Sequence, residues 1–292
     1  MRLDSHIHAE DDRSFKNDAK AYREGFLKAL ENAGLKGGAV FSVDPLQFPD
    51  WEPQKRLSYV MDLCKGSDYL FPFYYIDPTA DSAKDEVDMA VQAGVSGFKM
   101  ICSNYKVSDK RCMDIVSEIA SNGKPVIFHS GICWDGMNSA ENNRPGNFEA
   151  LIDIPKLKFC LAHVSWPWYD ECIAVYGKFN NAYSMRPDLS CEMFIDVTPG
   201  TPRLYRREVF TRMLKWSEYD FRYNLMFGTD CNSQSYNTKW SLEWQSRDDE
   251  LYRELIEEDI EDFLDHVYCK NLLRFVGKSS EIPKRKIPLV AQ

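Results

Sequence analysis

The sequence predicts an α/β fold, a (β/α)8 TIM barrel with a C-terminal closing helical segment. Short apolar runs of strand type alternate with amphipathic helical stretches along the 292-residue chain, and eight such strand–helix pairs can be counted. A (β/α)8 barrel usually needs roughly 250 residues. Polar residues of metal-binding type stand at the ends of several predicted strands, which is where a parallel barrel places its active site.

The first half of the chain supplies five strands and the helices between them. The first long helix ends at Gly34, a typical C-cap residue, and the fourth ends at Asn122-Gly123. The expected strands are Leu3–Ala9, Gly38–Val43, Tyr69–Ile76, Val95–Ile101 and Val126–His129. The expected helices are Phe15–Gly34, Pro53–Cys64, Ala83–Ala93 and Asp109–Ser121.

The second half begins with a long irregular connection, Gly131–Asn147, and loops of this length often carry function. The expected strands are then Lys158–Val164, Leu189–Val197 and Asn224–Phe227. The expected helices are Phe148–Ile152, Trp168–Lys178, Tyr205–Trp216 and the closing segment Arg247–Phe275. Because no linker interrupts the alternation, residues 1–292 are expected to form a single domain, with residues 278–292 as an extended C-terminal arm.

Composition argues against several classes of protein. The formal net charge of −9 argues against a nucleic-acid-binding protein. No apolar run approaches the ~20 residues of a membrane helix, and the acidic start of the chain lacks the apolar stretch of a signal peptide. The nine cysteines are scattered singly, as is typical of a reducing compartment. We therefore expect a cytoplasmic protein that binds neither membrane nor nucleic acid.

Candidate metal ligands stand at the strand ends. His6 and His8 project from the same face of strand one, because side chains two residues apart share a face. Imidazole is the commonest side-chain ligand of zinc. The other candidates end or follow later strands, or lie late in them: Lys99, His129, His163 and Asp230. All would lie at one mouth of a barrel, where a bound divalent ion lowers the pKa of water from about 15.7 to about 7.

These motifs resemble those of the amidohydrolase superfamily. The matching stretches are Asp4-Ser5-His6-Ile7-His8, Gly97-Phe98-Lys99, His129-Ser130-Gly131, Ala162-His163 and Gly228-Thr229-Asp230. The closing stretch from Tyr268 to Phe275 is similar to the final helix of the amidohydrolase-related branch. That branch includes aminocarboxymuconate-semialdehyde decarboxylase, resorcylate-type decarboxylases and lactone hydrolases. The resemblance extends from about Leu3 to Val276.

The resemblance implies a role for each candidate ligand. His6, His8, His129 and Asp230 correspond to the ligands of the tightly held metal. His163 corresponds to a histidine that either binds a second metal or orients the water and the substrate oxygen. Lys99 corresponds to a lysine that is carboxylated into a bridging ligand in some relatives and is unmodified in others. The expected cofactor is zinc, with manganese as the alternative, in one or two ions.

The leading functional prediction is a metal-dependent hydrolase of a small ester, lactone or amide. Metal-activated water would attack the carbonyl, with Asp230 as the general base and His163 as the second catalytic residue. The alternative is a metal-dependent non-oxidative decarboxylase of a small unsaturated or aromatic carboxylic acid. A third hypothesis, a catalytically silent binding barrel, has less support because the full ligand set is intact. Fold and ligands alone do not separate the first two reactions.

Loops at the same mouth are expected to select the substrate. Trp134 and Arg144 follow strand five, and Trp166 follows strand six. Aromatic walls with Arg144, or with Lys106 after strand four, would suit a small organic acid, because guanidinium matches carboxylate geometry. The alternative for Arg144 is a solvent-facing position on the loop. Barrels of this size commonly pair, so we expect a homo-oligomer, most simply a dimer.

Overall fold

Parallel strands curl into a barrel in sequence order. The computed structural model describes residues 1–10, 13–134, 138–186 and 191–279. The strands are β1 Asp4–His8, β2 Gly38–Phe41, β3 Leu70–Tyr75, β4 Gly97–Met100, β5 Val126–Phe128, β6 Lys158–Leu161, β7 Glu192–Asp196, β8 Leu225–Met226 and β9 Cys231–Asn232. Their order is β8-β7-β6-β5-β4-β3-β2-β1-β9, and all neighbouring pairs are parallel. The predicted TIM-barrel fold is confirmed.

The barrel closes between β1 and the last strands. The Ser5 amide donates to the Phe227 carbonyl (2.8 Å), and the Asp230 amide donates to the His6 carbonyl (3.0 Å). A Cβ on Gly228 would lie 2.4 Å from the Thr198 methyl carbon, so only glycine permits this close approach. The predicted eighth strand, Asn224–Phe227, is shorter than expected, and a ninth strand follows because Asp230 turns the chain through a φ of +59°.

Helices cover the outside of the sheet. They are α1 Arg13–Asn17, α2 Ala19–Asn32, α3 Pro53–Cys64, α4 Ala83–Ala93, α5 Lys110–Ser121, α6 Ser139–Asn142, α7 Tyr169–Met185, α8 Arg206–Thr211, α9 Thr238–Leu255, α10 Ile260–Asp265 and α11 Asn271–Phe275. Short 3₁₀-helical segments occupy Pro145–Asp153, Ala162–Ser165 and Arg203–Tyr205. π-helical turns occupy Arg212–Trp216 and His266–Lys270. Asp18, Asp109 and Asn237 cap α2, α5 and α9 by accepting from backbone amides of the first turn. None of these described helices is both long and apolar enough to cross a membrane.

The barrel interior is packed and closed at one end. Inward-facing side chains from alternate strand positions, such as Phe41, Phe73 and Phe194, form one apolar cluster. Phe275 of α11 seals this cluster, with its ring 4.9 Å from Phe194 and 6.3 Å from Phe73 between centroids. Leu272 belongs to the same plug. Since the bottom is filled, the open mouth lies at the carboxyl ends of the strands.

Several predicted boundaries move. The predicted strand Leu189–Val197 begins at Glu192, and residues 187–190 lie outside the described part of the chain. The closing segment Arg247–Phe275 consists of the end of α9, then α10, a wide turn and α11, with a break at Asp259, where φ is +52°. The arm expected at 278–292 lies outside the described residues beyond Ser279.

Candidate metal centre

His6, His8 and Asp230 converge at the mouth of the barrel. One ligand atom from each lies within 4.8 Å of the others. An Asp230 carboxylate oxygen lies 3.1 Å from His8 Nε2 and 3.3 Å from His6 Nε2. The period of two in β1 places both imidazoles on one face, and the turn after β8 brings the carboxylate to them. Three donors of metal-ligand type thus surround one point.

The donor set fits a divalent cation. His6 Nε2 and His129 Nε2 are buried, and no described residue forms a hydrogen bond with either atom. A buried nitrogen without a partner costs about 1–3 kcal/mol, which coordination to a metal would remove. Imidazoles combined with one carboxylate are also the ligands of catalytic zinc sites.

Asp196, at the end of β7, orients His6. Its side chain is fully buried, and one oxygen lies 2.9 Å from His6 Nδ1. A carboxylate accepts from Nδ1–H, so the proton of neutral His6 is placed on Nδ1 and the Nε2 lone pair faces Asp230. Burial, and next the charge of Lys99, lower the pKa of His6 to about 3, so the ring is neutral at neutral pH. Sequence reasoning missed Asp196, although an acid ending an apolar run was visible there.

The same carboxylate also holds His163. The other Asp196 oxygen accepts from the His163 amide (2.9 Å) and from the Thr198 hydroxyl. Thr198 Oγ1 lies 2.6 Å from His163 Nδ1. Because the single hydroxyl proton of Thr198 is used toward Asp196, Thr198 accepts from Nδ1–H of His163. The other ring nitrogen of neutral His163 is therefore a proton acceptor.

His163 lies on a strained turn. His163, Val164 and Ser165 have φ values of +61°, +49° and +55°, a left-handed conformation that costs non-glycine residues roughly 1–2 kcal/mol each. The strand predicted to run to Val164 therefore ends at Leu161. Gly200 leaves room for this turn, since a Cβ there would lie 2.8 Å from the His163 Cβ. Such strain concentrates at functional sites, where the surrounding structure maintains it.

His129 and Lys99 lie deeper at the same mouth. The His129 ring follows β5 and lies 5.0 Å from the His163 ring between centroids. Lys99 is only 1% exposed, with its Nζ 5.0 Å from the centroid of Phe41 and no hydrogen-bond partner among the described residues. Burial is the main cause that lowers the pKa of both groups. Both side chains therefore border the convergence point, although His129 lies outside the group of three donors.

Two cavities open beside the three donors, and Asp230 lines both. The wide cavity, of about 600 Å³, is lined by His8, Asp44, Gln47, Tyr75, Asn232 and Gln234, among others. The tryptophan cavity, of about 220 Å³, is lined by His129, Trp134, His163, Trp166 and Gly200, among others. The Asp230 side chain is 40% exposed. A small molecule could therefore reach this carboxylate from either side.

The three predicted substrate-binding residues have different positions. Trp134, which is 84% exposed, and Trp166 both line the tryptophan cavity. Arg144 pairs instead with Glu171, with Nη2 2.7 Å and Nε 3.0 Å from one carboxylate oxygen. Its guanidinium also lies over the Trp168 ring at 5.4 Å. Arg144 is not among the residues that line either cavity, because its guanidinium already binds the Glu171 carboxylate.

Asp196→Asn is expected to weaken zinc binding about 10- to 100-fold. If the carboxamide nitrogen faced His6, it would donate to Nδ1 and move the ring proton to Nε2, where it blocks coordination. In the opposite orientation, this nitrogen would face the His163 amide and the Thr198 hydroxyl, which are themselves donors, so both hydrogen bonds would be lost. The measurement is the dissociation constant for zinc, by competition with a chromogenic chelator.

Asp114→Asn is the matched control for this substitution. Asp114 lies on α5, is exposed and pairs only with Lys110 among the described ion pairs. The Asp114→Asn substitution removes the same charge as Asp196→Asn but lies outside the candidate metal centre. Equal zinc affinities for Asp196→Asn and this control would show that Asp196 does not position His6.

A family model described as "Amidohydrolase" matches residues 3–266. No curated protein matches the chain. Among solved structures, 2,6-dihydroxybenzoate decarboxylase from Rhizobium is 12% identical, with 94% of this chain and 98% of that chain covered and a TM-score of 0.60. An amidohydrolase from Burkholderia multivorans is 10% identical (94% and 99% covered, TM-score 0.59), and dihydroorotase from Campylobacter jejuni is 12% identical (98% and 85% covered, TM-score 0.53). These likenesses show a shared barrel fold.

Proposed function

Because the chain belongs to the amidohydrolase family, we propose that it is a metal-dependent enzyme that hydrolyses a small ester, lactone or amide. The position of Asp230 carries this proposal. Its carboxylate lies within 3.3 Å of both β1 imidazoles, yet is partly exposed where the two cavities meet. A base in that position can take a proton from an attacking water and pass it to the leaving group.

His6, His8 and Asp230 would hold the ion, with His129 as a fourth donor. A divalent ion there supplies Lewis acidity, which lowers the pKa of water and polarises a carbonyl. We propose zinc, with manganese as the alternative, because two or three imidazoles and a carboxylate suit either ion. Three converging donors support one ion, and a second ion would require carboxylation of Lys99.

Asp230 and His163 would move the protons. Burial acts to raise the pKa of Asp230, but His8 beside it and the other nearby imidazoles hold this pKa well below its ordinary value. Asp230 is therefore ionised at neutral pH and able to accept a proton. His163, whose Nδ1 is held by Thr198, would present its other nitrogen to the substrate oxygen or the leaving group.

Hydrolysis in water enriched in oxygen-18 is expected to place one labelled oxygen in the acid product without release of carbon dioxide. The label enters because water forms the new carbon–oxygen bond. Panels of esters, lactones, amides and carboxylic acids would be screened with zinc-loaded protein, and products analysed by mass spectrometry. Carbon dioxide release from an acid, with no label in the product, would contradict the hydrolase assignment.

Decarboxylation is the second candidate, and the tryptophan cavity favours it. Trp134 and Trp166 form walls that suit a planar unsaturated or aromatic acid. In this reaction the bond from the substrate carbon to its carboxylate would break, carbon dioxide would leave and the bonding electron pair would stay on that carbon. Asp230 or His163, after taking a proton from water, would deliver this proton to the carbon. The same labelling experiment separates the two reactions.

A further inference from the structure

The wide cavity carries polar side chains but no cation among its described lining residues. Beyond the metal centre its wall presents the Asp44 carboxylate, the Tyr75 hydroxyl and the carboxamides of Gln47, Asn232 and Gln234. Carboxamides both donate and accept hydrogen bonds, whereas a carboxylate only accepts. The wall is therefore negatively charged and rich in acceptors.

Asp44 is held at this wall by the chain itself. It follows β2 by three positions, is partly buried, and accepts from the Leu46 backbone amide at 2.8 Å. Burial raises its pKa, so a hydrogen-bond donor from a ligand would relieve part of the cost of its charge.

Tyr75 lies beside Asp44 on the same wall. Its side chain ends β3 and is only 3% exposed, and its hydroxyl is within hydrogen-bonding reach of the Asp44 carboxylate. Because the hydroxyl donates its proton toward this carboxylate, its oxygen lone pairs stay available to a donor on a ligand. Because the ring lines the wide cavity, a molecule bound there is within its reach.

We infer that the part of the substrate that lies in the wide cavity beside Asp44 carries hydroxyl or ammonium groups and no second carboxylate. This inference rests on the proposed function for the identity of the reacting site. A hydroxyl or an ammonium group can donate to the Asp44 carboxylate or to the Tyr75 oxygen. A carboxylate there would face Asp44 with no compensating cation among the described lining residues, which disfavours its binding.

This substrate class differs from the organic acid expected from Arg144. That expectation required a cationic side chain available at the mouth, whereas Arg144 is paired with Glu171 and Lys106 lies 4.0 Å from a Glu141 oxygen. The inference holds for hydrolysis and for decarboxylation alike, because it concerns the part of the substrate in the wide cavity and leaves the reacting group open.

The test uses alkyl hydroxamates of matched length whose far ends are hydroxyl, ammonium or carboxylate. The hydroxamate chelates the metal whichever reaction the enzyme performs, so the tail reports on the wide cavity alone. Calorimetric titration of zinc-loaded protein should show the hydroxyl and ammonium tails binding roughly tenfold or more tightly than the carboxylate tail. Asp44→Asn should remove most of the difference between the ammonium and carboxylate tails, and Asp114→Asn should leave it unchanged.

Tyr75→Phe is the second variant, because it removes only the hydroxyl and preserves the packing of the ring. It should weaken the hydroxyl tail several-fold and the carboxylate tail little. The inference would be overturned if the parent protein bound the carboxylate tail as tightly as the other two tails, or more tightly. It would also be overturned if the differences in affinity among the three tails were unchanged in both variants. Metal content of the same preparations reports separately on the proposed function, since protein that takes up no zinc overturns that function and with it the premise of this inference.

Discussion

Asp230→Asn is expected to lower turnover roughly 10³-fold, because a carboxamide cannot accept the proton of the attacking water. The substitution also removes the only carboxylate of the three-donor group, so bound zinc should decrease. The measurements are kcat on a substrate found in the panel and zinc per chain by elemental analysis of the same sample.

Two comparisons make this result interpretable. Asp114→Asn removes the same charge on the exposed face of α5 and should retain full turnover and full zinc content. Assays at saturating zinc separate loss of the metal from loss of the base, since added zinc restores only the former. Turnover of Asp230→Asn within tenfold of the parent protein at full zinc occupancy would remove Asp230 from the role of general base.

Asp248→Ala is expected to lower the free energy of unfolding by about 3–5 kcal/mol, because it leaves a buried cation without its partner. Arg206 Nε lies 2.9 Å from one Asp248 oxygen, and both side chains are at most 1% exposed. The guanidinium is enclosed by the rings of Phe210 and Trp244, at 4.7 and 4.9 Å, so water cannot easily replace the carboxylate. Urea denaturation followed by circular dichroism measures the change.

Glu254→Ala is the control for this ion pair. Glu254 pairs with Arg207 on the surface, with both side chains more than half exposed, and such pairs contribute about 0–1 kcal/mol. Replacing both buried partners by apolar residues, Arg206→Met with Asp248→Leu, should recover most of the stability lost in Asp248→Ala. Equal destabilisation by Asp248→Ala and Glu254→Ala would contradict the role assigned to burial.

Much of the candidate site could be predicted from local pattern. The period of two in β1 places His6 and His8 on one face whatever follows, and the strand-end rule for parallel barrels then brings Asp230 to them. The structure does bring these three side chains together. The metal-binding roles of His129, His163 and Lys99 stay predictions, although all three border the same mouth.

The partners of the polar side chains could not be predicted, because they depend on which elements converge in space. Asp196 is 190 residues away from His6, and no local signal relates them. Arg144 is satisfied by Glu171 of α7, so its direction was decided by a neighbouring helix rather than by its own loop. Gly228, after β8, lies so close to Thr198 of another strand end that a Cβ there would be 2.4 Å from the Thr198 methyl carbon.

The sequence by itself therefore determined the barrel, its order of strands and the face on which the first two histidines stand, because backbone sterics and hydrophobic periodicity act over a few residues. Only the tertiary structure decided that Asp196 holds both His6 and His163, that Arg144 is already paired, and that Asp230 stands between two cavities. The physical reason is that a hydrogen bond or an ion pair requires its two groups to meet at a few ångströms, and chain topology brings together residues that are remote in the sequence.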